Sequence, residues 1–432
     1  MKRIVLMAFM VGFIMASTLQ GENLSSSPLI NSEAENIPYE DFSPLSEMDF
    51  LELKNMLNEI QLNPEDLNYE KDWDLSTWGK SKAFLRALQE PYYGLQKMQE
   101  YRNASNKADT DEGFAFLADL LYKDAIDASG CINNYLEYKQ IYQRDFKHQV
   151  QQPQDLFLFY ETALKDIIPI LAAAYADYNF GLWSKYISYL FTALMANEDK
   201  DAYTAYFNQH NLPETKEIDD YEIKKLMELL VEPASLKAGM QFLALADVIK
   251  NEAGKLNYKN KKPIIKTGKY GTMIIGTVND DIYSDKLLKK PLTLLIDPSG
   301  NDQYEITLAT SYNNYTYLLI DYKGNDSYLN PNIGSMFFAL SGLGISYDLQ
   351  GNDIYKTGDF SFAAMTGMQL HRDFQGDDIY QSGLFSQGAA IRGLSLLQDF
   401  QGNDIYSATC LAQGFGSIRS AGALLDLNGS DN

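Results

Sequence analysis

The sequence predicts a two-part α + β protein, with an N-terminal all-α domain followed by a C-terminal parallel β-solenoid. Apolar residues recur at helical spacing over 42–257, whereas short runs of alternating residues dominate after 270. An eight-residue phrase, D-x-x-G-[ND]-D-x-Y, also returns along the second part at intervals near 25 residues. These observations together predict a β-helix-like stack of coils attached to a helical domain.

Residues 1–20 have the pattern of a signal peptide. Lys2 and Arg3 form a positive start, an apolar run extends from Ile4 to Ala16, and small and polar residues follow. Because the run is short for a membrane span, we expect cleavage between Ala16 and Gln20, with an uncleaved anchor as the alternative. The chain is therefore predicted to be exported (periplasmic, cell-surface or secreted), without a membrane span after signal removal.

A flexible segment is expected over 21–41, and seven or eight helices are expected over 42–257. Ser43 and Pro44 suit the N-cap and first position of a helix. Apolar residues at helical spacing predict the helices themselves. They fall at 48–60, 78–102, 113–128, 131–150, 155–178, 183–196, 219–232 and 234–255.

Composition limits the classes of partner. The formal charge of −22 opposes nucleic-acid binding, which needs basic patches against phosphate. It suits cations as partners, or a well-solvated surface. The chain has 2 cysteines, Cys131 and Cys410, which fall in different predicted domains, so we expect free thiols and no disulfide framework.

A lysine-rich segment, 258–269, separates the two parts. We interpret it as a solvated linker rather than as a grip on an anionic surface. The solenoid is predicted over 270–432, where strand-forming residues replace the helical pattern.

The repeat sets the architecture of the second part. Its leading Asp recurs at 297, 321, 348, 373, 399 and 426, and a degenerate copy, GTVNDDIY, occupies 276–283. A fixed period of this size indicates a solenoid, with three short strands and three corners per coil. Apolar residues alternate before each Asp, which predicts an inward-facing strand side. Three residues before the Asp stand Leu294, Leu318, Ile345, Leu370, Leu396 and Ala423.

Each residue of the phrase has a predicted structural role. The glycine allows the positive φ of a sharp corner. The leading Asp can accept hydrogen bonds from nearby backbone amides in an Asx-turn. The tyrosines are expected to stack from coil to coil: Tyr283, Tyr304, Tyr328, Tyr355, Tyr380 and Tyr406.

The aspartates raise a question of charge. Carboxylates stacked ~4.8 Å apart would repel one another by about 3 kcal/mol per neighbouring pair at an effective dielectric near 20. Backbone N–H donors would compensate this in a structural corner, the interpretation we favour, in which no cofactor is required. Ca²⁺ is the alternative, since it binds carboxylate and carbonyl oxygens. The candidate ligands are Asp297, Asp302, Asp321, Asp326, Asp348, Asp353, Asp373, Asp378, Asp399 and Asp404.

The last copies resemble repeats of large, mostly uncharacterised exported bacterial proteins, with the pattern S-Q-G-x-G…G-x-L-x-D-x-x-G-x-D-x-Y. Residues 386–406 and 412–431 carry it, including Gln387-Gly388 and Gln413-Gly414, and earlier copies lack the Q-G element. The resemblance covers about 160 residues. It implies a repeat scaffold and export but no particular activity, and the helical part resembles no family. Because the chain stops within a copy of the phrase, we expect further C-terminal domains in the natural protein.

Two functions follow from these features. The first is a non-enzymatic extended scaffold or binding module for a surface, glycan or protein ligand, stabilised by Ca²⁺ if the aspartates bind it. The alternative is a polysaccharide-active β-helix, either a lyase or a glycoside hydrolase, which would use carboxylates of the repeat face. A catalytic site should interrupt the repeat, whereas the candidate acids and bases follow it: Asp280-Asp281, Asp377-Asp378, Arg392 and Arg419.

Overall fold

The computed structural model describes residue 55 and residues 82–89, 91–176, 232–311, 314–417 and 419–431. The predicted signal peptide and flexible segment lie outside these residues. So do the helical runs predicted at 183–196 and 219–232 (except residue 232), and all of 48–60 except residue 55.

The N-terminal part is helical where it is described, as the sequence predicts. Short 3₁₀ turns occur at Pro153–Asp155 and, in the second part, at Asp285–Leu287. The described helices are α1 (Lys82–Gln89), α2 (Pro91–Ser105), α3 (Asp111–Ile126), α4 (Ile132–Gln149), α5 (Leu156–Ala174) and α6 (Glu232–Ala253).

Local sequence explains two of the helix starts. Thr110 caps α3, because its Oγ1 accepts a hydrogen bond from the amide of Gly113 at 3.0 Å. Pro91 is the first residue of α2, a position where the missing N–H costs nothing. The single helix predicted over 78–102 is therefore two helices in the structure, α1 and α2.

The second part is a parallel β-solenoid with three sheets, which confirms the predicted fold class. Sheet A contains β1 (Ile264–Thr267), β2 (Thr272–Ile275), β4 (Leu292–Asp297), β7 (Thr316–Asp321), β10 (Leu343–Asp348), β13 (Met368–Asp373), β16 (Leu394–Asp399) and β19 (Ala421–Asp426). Sheet B contains β3 (Ile282–Ser284), β5 (Gln303–Glu305), β8 (Ser327–Asn330), β11 (Ile354–Thr357), β14 (Ile379–Gln381) and β17 (Ile405–Ser407). Sheet C contains β6 (Leu308–Thr310), β9 (Met336–Leu340), β12 (Ala363–Met365), β15 (Ala389–Ile391) and β18 (Gly416–Ser417).

The coils stack in register on the repeated phrase. Each leading Asp ends a strand of sheet A and pairs with the leading Asp of the next coil, as Asp348 does with Asp373. The tyrosines pair in sheet B, as Tyr355 does with Tyr380. The predicted alignment of like residues is therefore confirmed along the stack.

The apolar side of sheet A faces the helices, whereas the sequence pattern predicted it to turn into the solenoid. Leu294, Leu370 and their equivalents belong to one continuous core with α3 to α6. A Cβ on Gly239 of α6 would stand 2.4 Å from the Cε of Met368. Helices thus cover this sheet, and the two parts share a core.

The solenoid interior has its own core. It contains the intervening residues of sheet A, such as Leu295 and Leu319, together with the tyrosine column. Neighbouring tyrosine rings stack with centroids 4.5–5.0 Å apart, which confirms the predicted ladder. His371 lies in this interior against the rings of Phe362 and Tyr355.

Part of the lysine-rich segment is a strand rather than a simple linker. β1 pairs antiparallel with β2 and lies at the edge of sheet A. Its side chains from Ile265 to Thr267 are exposed, and Lys266 is one of them. A charged, antiparallel edge strand blunts the open edge of a parallel sheet, so β1 protects the first coil from edge pairing.

Two further expectations can be compared with the described residues. No disulfide joins Cys131 and Cys410. No described helix has the length and apolar character needed to cross a membrane.

Candidate metal centre

The ten candidate aspartates form two columns along one corner of the solenoid. The leading aspartates end the strands of sheet A, and the second aspartates stand just before the strands of sheet B. All ten are at most 2% exposed. The corner therefore holds two closely spaced rows of buried carboxyl groups, as the stacking of the repeat predicts.

The leading aspartates are fixed by an Asx-turn and by a tyrosine. Asp321 Oδ1 accepts a hydrogen bond from the amide of Lys323 at 3.0 Å, the Asx-turn that the sequence predicts. Asp348 Oδ2 accepts from the hydroxyl of Tyr328 at 2.7 Å. That tyrosine belongs to the preceding coil, so each pair joins two coils. The same bond recurs between Tyr283–Asp297, Tyr304–Asp321, Tyr355–Asp373, Tyr380–Asp399 and Tyr406–Asp426.

The second aspartates form a separate ladder. Asp353 Oδ1 accepts a hydrogen bond from the amide of Asp326, the same position one coil earlier, at 2.6 Å. The other steps measure 2.5–3.2 Å. The backbone N–H donors that we favoured as compensation are therefore present, but each satisfies only one oxygen of its carboxylate.

The other oxygen of each second aspartate has no hydrogen-bond partner. These buried Oδ2 atoms belong to Asp302, Asp326, Asp353, Asp378 and Asp404. Oδ1 of Asp348 and of Asp373 is in the same condition. A buried carboxylate oxygen without a hydrogen-bond donor destabilises the folded state. The hydrogen bonds of this corner therefore do not by themselves offset the negative charge of its carboxylates.

Carboxylate oxygens of these residues converge between coils. In each cluster, one second aspartate of a coil meets both aspartates of the next coil, and the candidate ligand atoms all lie within 4.8 Å of one another. The clusters include Asp281–Asp297–Asp302, Asp302–Asp321–Asp326, Asp326–Asp348–Asp353, Asp353–Asp373–Asp378 and Asp378–Asp399–Asp404.

The glycine of the phrase is needed for close approach. A Cβ on Gly351 would stand 1.9 Å from the carbonyl oxygen of Gly324 and within 2.7 Å of both oxygens of Asp353. The predicted positive φ applies to Gly300 (+151°) and Gly376 (+153°) but not to Gly351. Glycine thus allows the backbone carbonyl of one coil to lie beside the carboxylate of the next coil.

Burial and mutual repulsion raise the pKa values of both columns. Burial and then the neighbouring Asp302 raise the pKa of Asp297 to about 9. Burial and then Asp348 raise the pKa of Asp353 to about 10. The pKa of Asp373 lies well above its ordinary value for the same reasons. A proton or another positive charge beside each carboxyl group would therefore stabilise the corner.

All ten candidate ligands are therefore brought together, and the structure adds residues that sequence reasoning had not assigned to the site. Asp281 of the degenerate copy completes the first cluster. The tyrosine hydroxyls contact the leading aspartates, whereas only ring stacking was expected. The constant spacing of Asp and Tyr in the phrase indicates that the two side chains keep a fixed position relative to each other. Only the stacked structure shows that each tyrosine hydroxyl donates its hydrogen bond to the leading aspartate of the next coil.

The residues considered for catalysis have other partners. Asp280 and Asp377 accept hydrogen bonds from the amides of Asn301 and Asn403 in the next coil, both within 2.9 Å. Arg419 donates to the carbonyl oxygen of Ile126 at 2.6 Å. Away from these residues, His371 of β13 is buried, which lowers its pKa to about 3, and its Nδ1 lies 2.8 Å from the hydroxyl of Ser346.

Comparison with known proteins yields no match to any family model, curated protein or solved structure. The corner column is therefore interpreted from its own geometry.

Proposed function

We propose that this chain is an exported, non-enzymatic repeat protein whose solenoid acts as an extended scaffold and presents sheet B as its binding face. One observation carries the proposal: in every strand of sheet B, the side chains on either side of the tyrosine are at least partly accessible. In β14, for example, Tyr380 is buried while its neighbours Ile379 and Gln381 reach the surface.

The accessible face is a regular ladder of side chains. One row precedes the tyrosines and contains Ile282, Gln303, Ser327, Ile354, Ile379 and Ile405. A second row follows the tyrosines and includes Glu305, Lys356 and Gln381. Strands ~4.8 Å apart give these rows a fixed spacing, which favours an extended ligand such as a glycan chain, a cell surface or a protein strand.

Sheets A and C are less accessible to a ligand. Helices pack on sheet A, and its strands β4, β7, β10, β13, β16 and β19 are buried at every residue. In sheet C, β12 and β15 are buried throughout. Export rests on the sequence of residues 1–20 and on the resemblance of the last copies to exported repeat proteins.

The enzyme alternative has less support. Carboxylates for glycan cleavage must be free to contact substrate at a fixed separation. Asp281 and Asp378 belong to the buried clusters, and Asp280 and Asp377 bind backbone amides of the next coil. These groups maintain the coil-to-coil register, which favours a structural role.

Cosedimentation with insoluble polysaccharides and purified bacterial cell walls tests the proposal. We expect the wild-type protein to be retained by one of these materials without releasing reducing sugar ends or unsaturated products. The double substitution Ile354→Glu and Ile379→Glu should reduce retention at least tenfold, because it places two charges on the sheet B face.

Ile265→Glu is the matched control, because Ile265 is 40% exposed on β1, outside sheet B. It should leave retention unchanged. Release of sugar products would support the enzyme alternative instead. Equal retention of the wild-type protein and the sheet B variant would exclude sheet B as the binding face.

A further inference from the structure

The aspartates that carry oxygens without a hydrogen-bond partner meet in clusters between neighbouring coils. In the cluster of Asp326, Asp348 and Asp353, each residue is at most 1% exposed. Oδ2 of Asp326 and Asp353 and Oδ1 of Asp348 have no hydrogen-bond partner. These unpartnered atoms are an observation separate from the acidity of the cluster, and they indicate that something besides protein donors belongs between them.

The dimensions of the clusters suit a calcium ion. Opposite oxygens around Ca²⁺ lie roughly 4.6–5.2 Å apart, given Ca–O distances of about 2.3–2.6 Å. The carboxylate atoms of each cluster lie within 4.8 Å of one another, so a single ion can contact all three residues. Mg²⁺ requires shorter, nearly ideal octahedral contacts and retains several waters, which a buried corner accommodates poorly.

The ligand set also fits this ion. The donors are carboxylate oxygens, without the imidazole or thiolate ligands typical of zinc and copper. The carbonyl oxygen of Gly324 lies beside the carboxylate of Asp353, since both are close to the point where a Cβ of Gly351 would stand. A backbone carbonyl beside carboxylates is a ligand combination that Ca²⁺ uses.

Charge balance sets the expected number of ions. Each coil contributes two aspartates to the column, and every interior second aspartate, such as Asp353, belongs to two clusters. One divalent ion per coil therefore neutralises the column and bridges neighbouring coils through a shared ligand. Fewer ions would leave buried carboxylates unpaired, which is unfavourable.

We propose that the solenoid corner is a column of calcium sites, with one Ca²⁺ between each pair of neighbouring coils and each interior second aspartate shared by two ions. The sites hold the coils in register, independently of the ligand that sheet B binds. The repeated Gly-[Asn/Asp]-Asp of the phrase would then serve to bind Ca²⁺ between coils. The proposed binding face on sheet B does not involve these residues.

Terbium and calcium binding to the full chain test the proposal. Protein stripped with EGTA and then dialysed against Tb³⁺ should show tyrosine-sensitised Tb³⁺ emission, because the tyrosine hydroxyls contact the leading aspartates. Ca²⁺ should abolish this emission by competition and should raise the Tm, since an ion that binds the folded state stabilises it. Elemental analysis should find five or six Ca²⁺ per chain, matching the clusters.

Asp353→Asn and Asp377→Asn form a matched pair of variants. Asp353 is a ligand in two clusters, so its variant should bind two fewer Ca²⁺. Asp377 is the exposed neighbour of Asp378, and the other complete copies carry Asn at its position. The Asp377→Asn variant should therefore bind as many ions as the wild type.

Two results would overturn the proposal. One is the absence of both sensitised emission and a Ca²⁺-dependent rise in Tm for the stripped wild-type protein, a measurement that needs no variant to fold. The other is an equal loss of ions in the two variants, which would indicate unspecific binding to the acidic surface. In either case, the conclusion would be that protonation and hydrogen bonds, rather than Ca²⁺, offset the repulsion between the carboxyl groups.

Discussion

At the scale of single residues, the packing of the corner depends on the glycine of the phrase, which has no side chain, as much as on the aspartates. Gly351 lies where the carbonyl of Gly324 and the carboxylate of Asp353 approach the same point. The equivalent glycines at 324 and 402 are in the same situation, with a Cβ less than 2 Å from the preceding coil's carbonyl. Close approach thus explains why the phrase keeps glycine even where φ is not positive.

Gly351→Ala should destabilise the protein by about 2–3 kcal/mol, because neither backbone carbonyl nor carboxylate can move away without breaking the ladder. Urea unfolding followed by circular dichroism measures this loss. Gly416→Ala is the control in the same solenoid, since a Cβ there would come no closer than 3.5 Å to any heavy atom of the described residues around it. A loss for Gly351→Ala no larger than for the control would contradict this account of the corner.

At the scale of elements, a buried polar network joins α6 to sheet A. Tyr347 of β10 donates to Asp247 Oδ1 at 2.5 Å, and Tyr135 of α4 donates to its Oδ2 at 2.7 Å. Beside them, Lys250 and Arg372 both bind Asp111. Opposite charges within this network offset one another. Polar contacts as well as apolar burial therefore determine how the helices pack on sheet A.

The two carboxylates of the network differ in pKa. Burial would raise the pKa of Asp111, but Lys250 and then Arg372 outweigh it and lower the pKa to about 2. Burial, and then the nearby Asp111, raise the pKa of Asp247 to about 6. The folded protein therefore holds a proton on Asp247 more tightly than the unfolded chain does, whose Asp pKa is about 3.9.

Asp247→Asn should consequently change the pH dependence of stability. The charged form of Asp247 costs free energy above pH 6, and this cost fades as the pH falls toward 4. Relative to wild type, the variant should gain roughly 2 kcal/mol between pH 4 and pH 7.5, at about 1.4 kcal/mol per pKa unit. Chemical denaturation of both proteins across this range measures the difference, and a constant difference would contradict the assignment.

At the scale of the whole molecule, the chain is a solenoid with one sheet covered by helices and a charged strand at one edge. The helices and sheet A share one core, so neither part is expected to be stable alone. The exposed sheet B remains as the extended surface. Under the proposed function, that surface is where the ligand would bind.

Expression of the full chain in a bacterial host tests the signal peptide. We expect the protein in the extracytoplasmic fraction, with a mature N-terminus within residues 17–21. Replacing Lys2 and Arg3 by Glu should reduce export severalfold, because a positive start orients the segment. Lys259→Glu with Lys261→Glu is the control with the same charge change on exposed residues. Full-length protein retained in the cytoplasm would exclude export.

Much of the fold was predictable because it repeats. A phrase such as DFQGNDIY at 399–406 fixes the strand ends, the stacking register and the columns of Asp and Tyr. The same periodicity brought all ten candidate ligands together. Which side of sheet A would face the helices was not predictable, because both sides are buried and the alternation along each strand does not say which side the helices cover.

The sequence by itself therefore determined the helical part, the solenoid and the two aspartate columns, since these depend on periodicity along the chain. Only the tertiary structure decided that Tyr328 bonds Asp348 across coils, that Gly351 makes room for a carbonyl, and that α6 covers sheet A. These relations depend on distances between residues far apart in sequence. Such distances are set by how coils and helices pack, not by the order of residues within any one repeat.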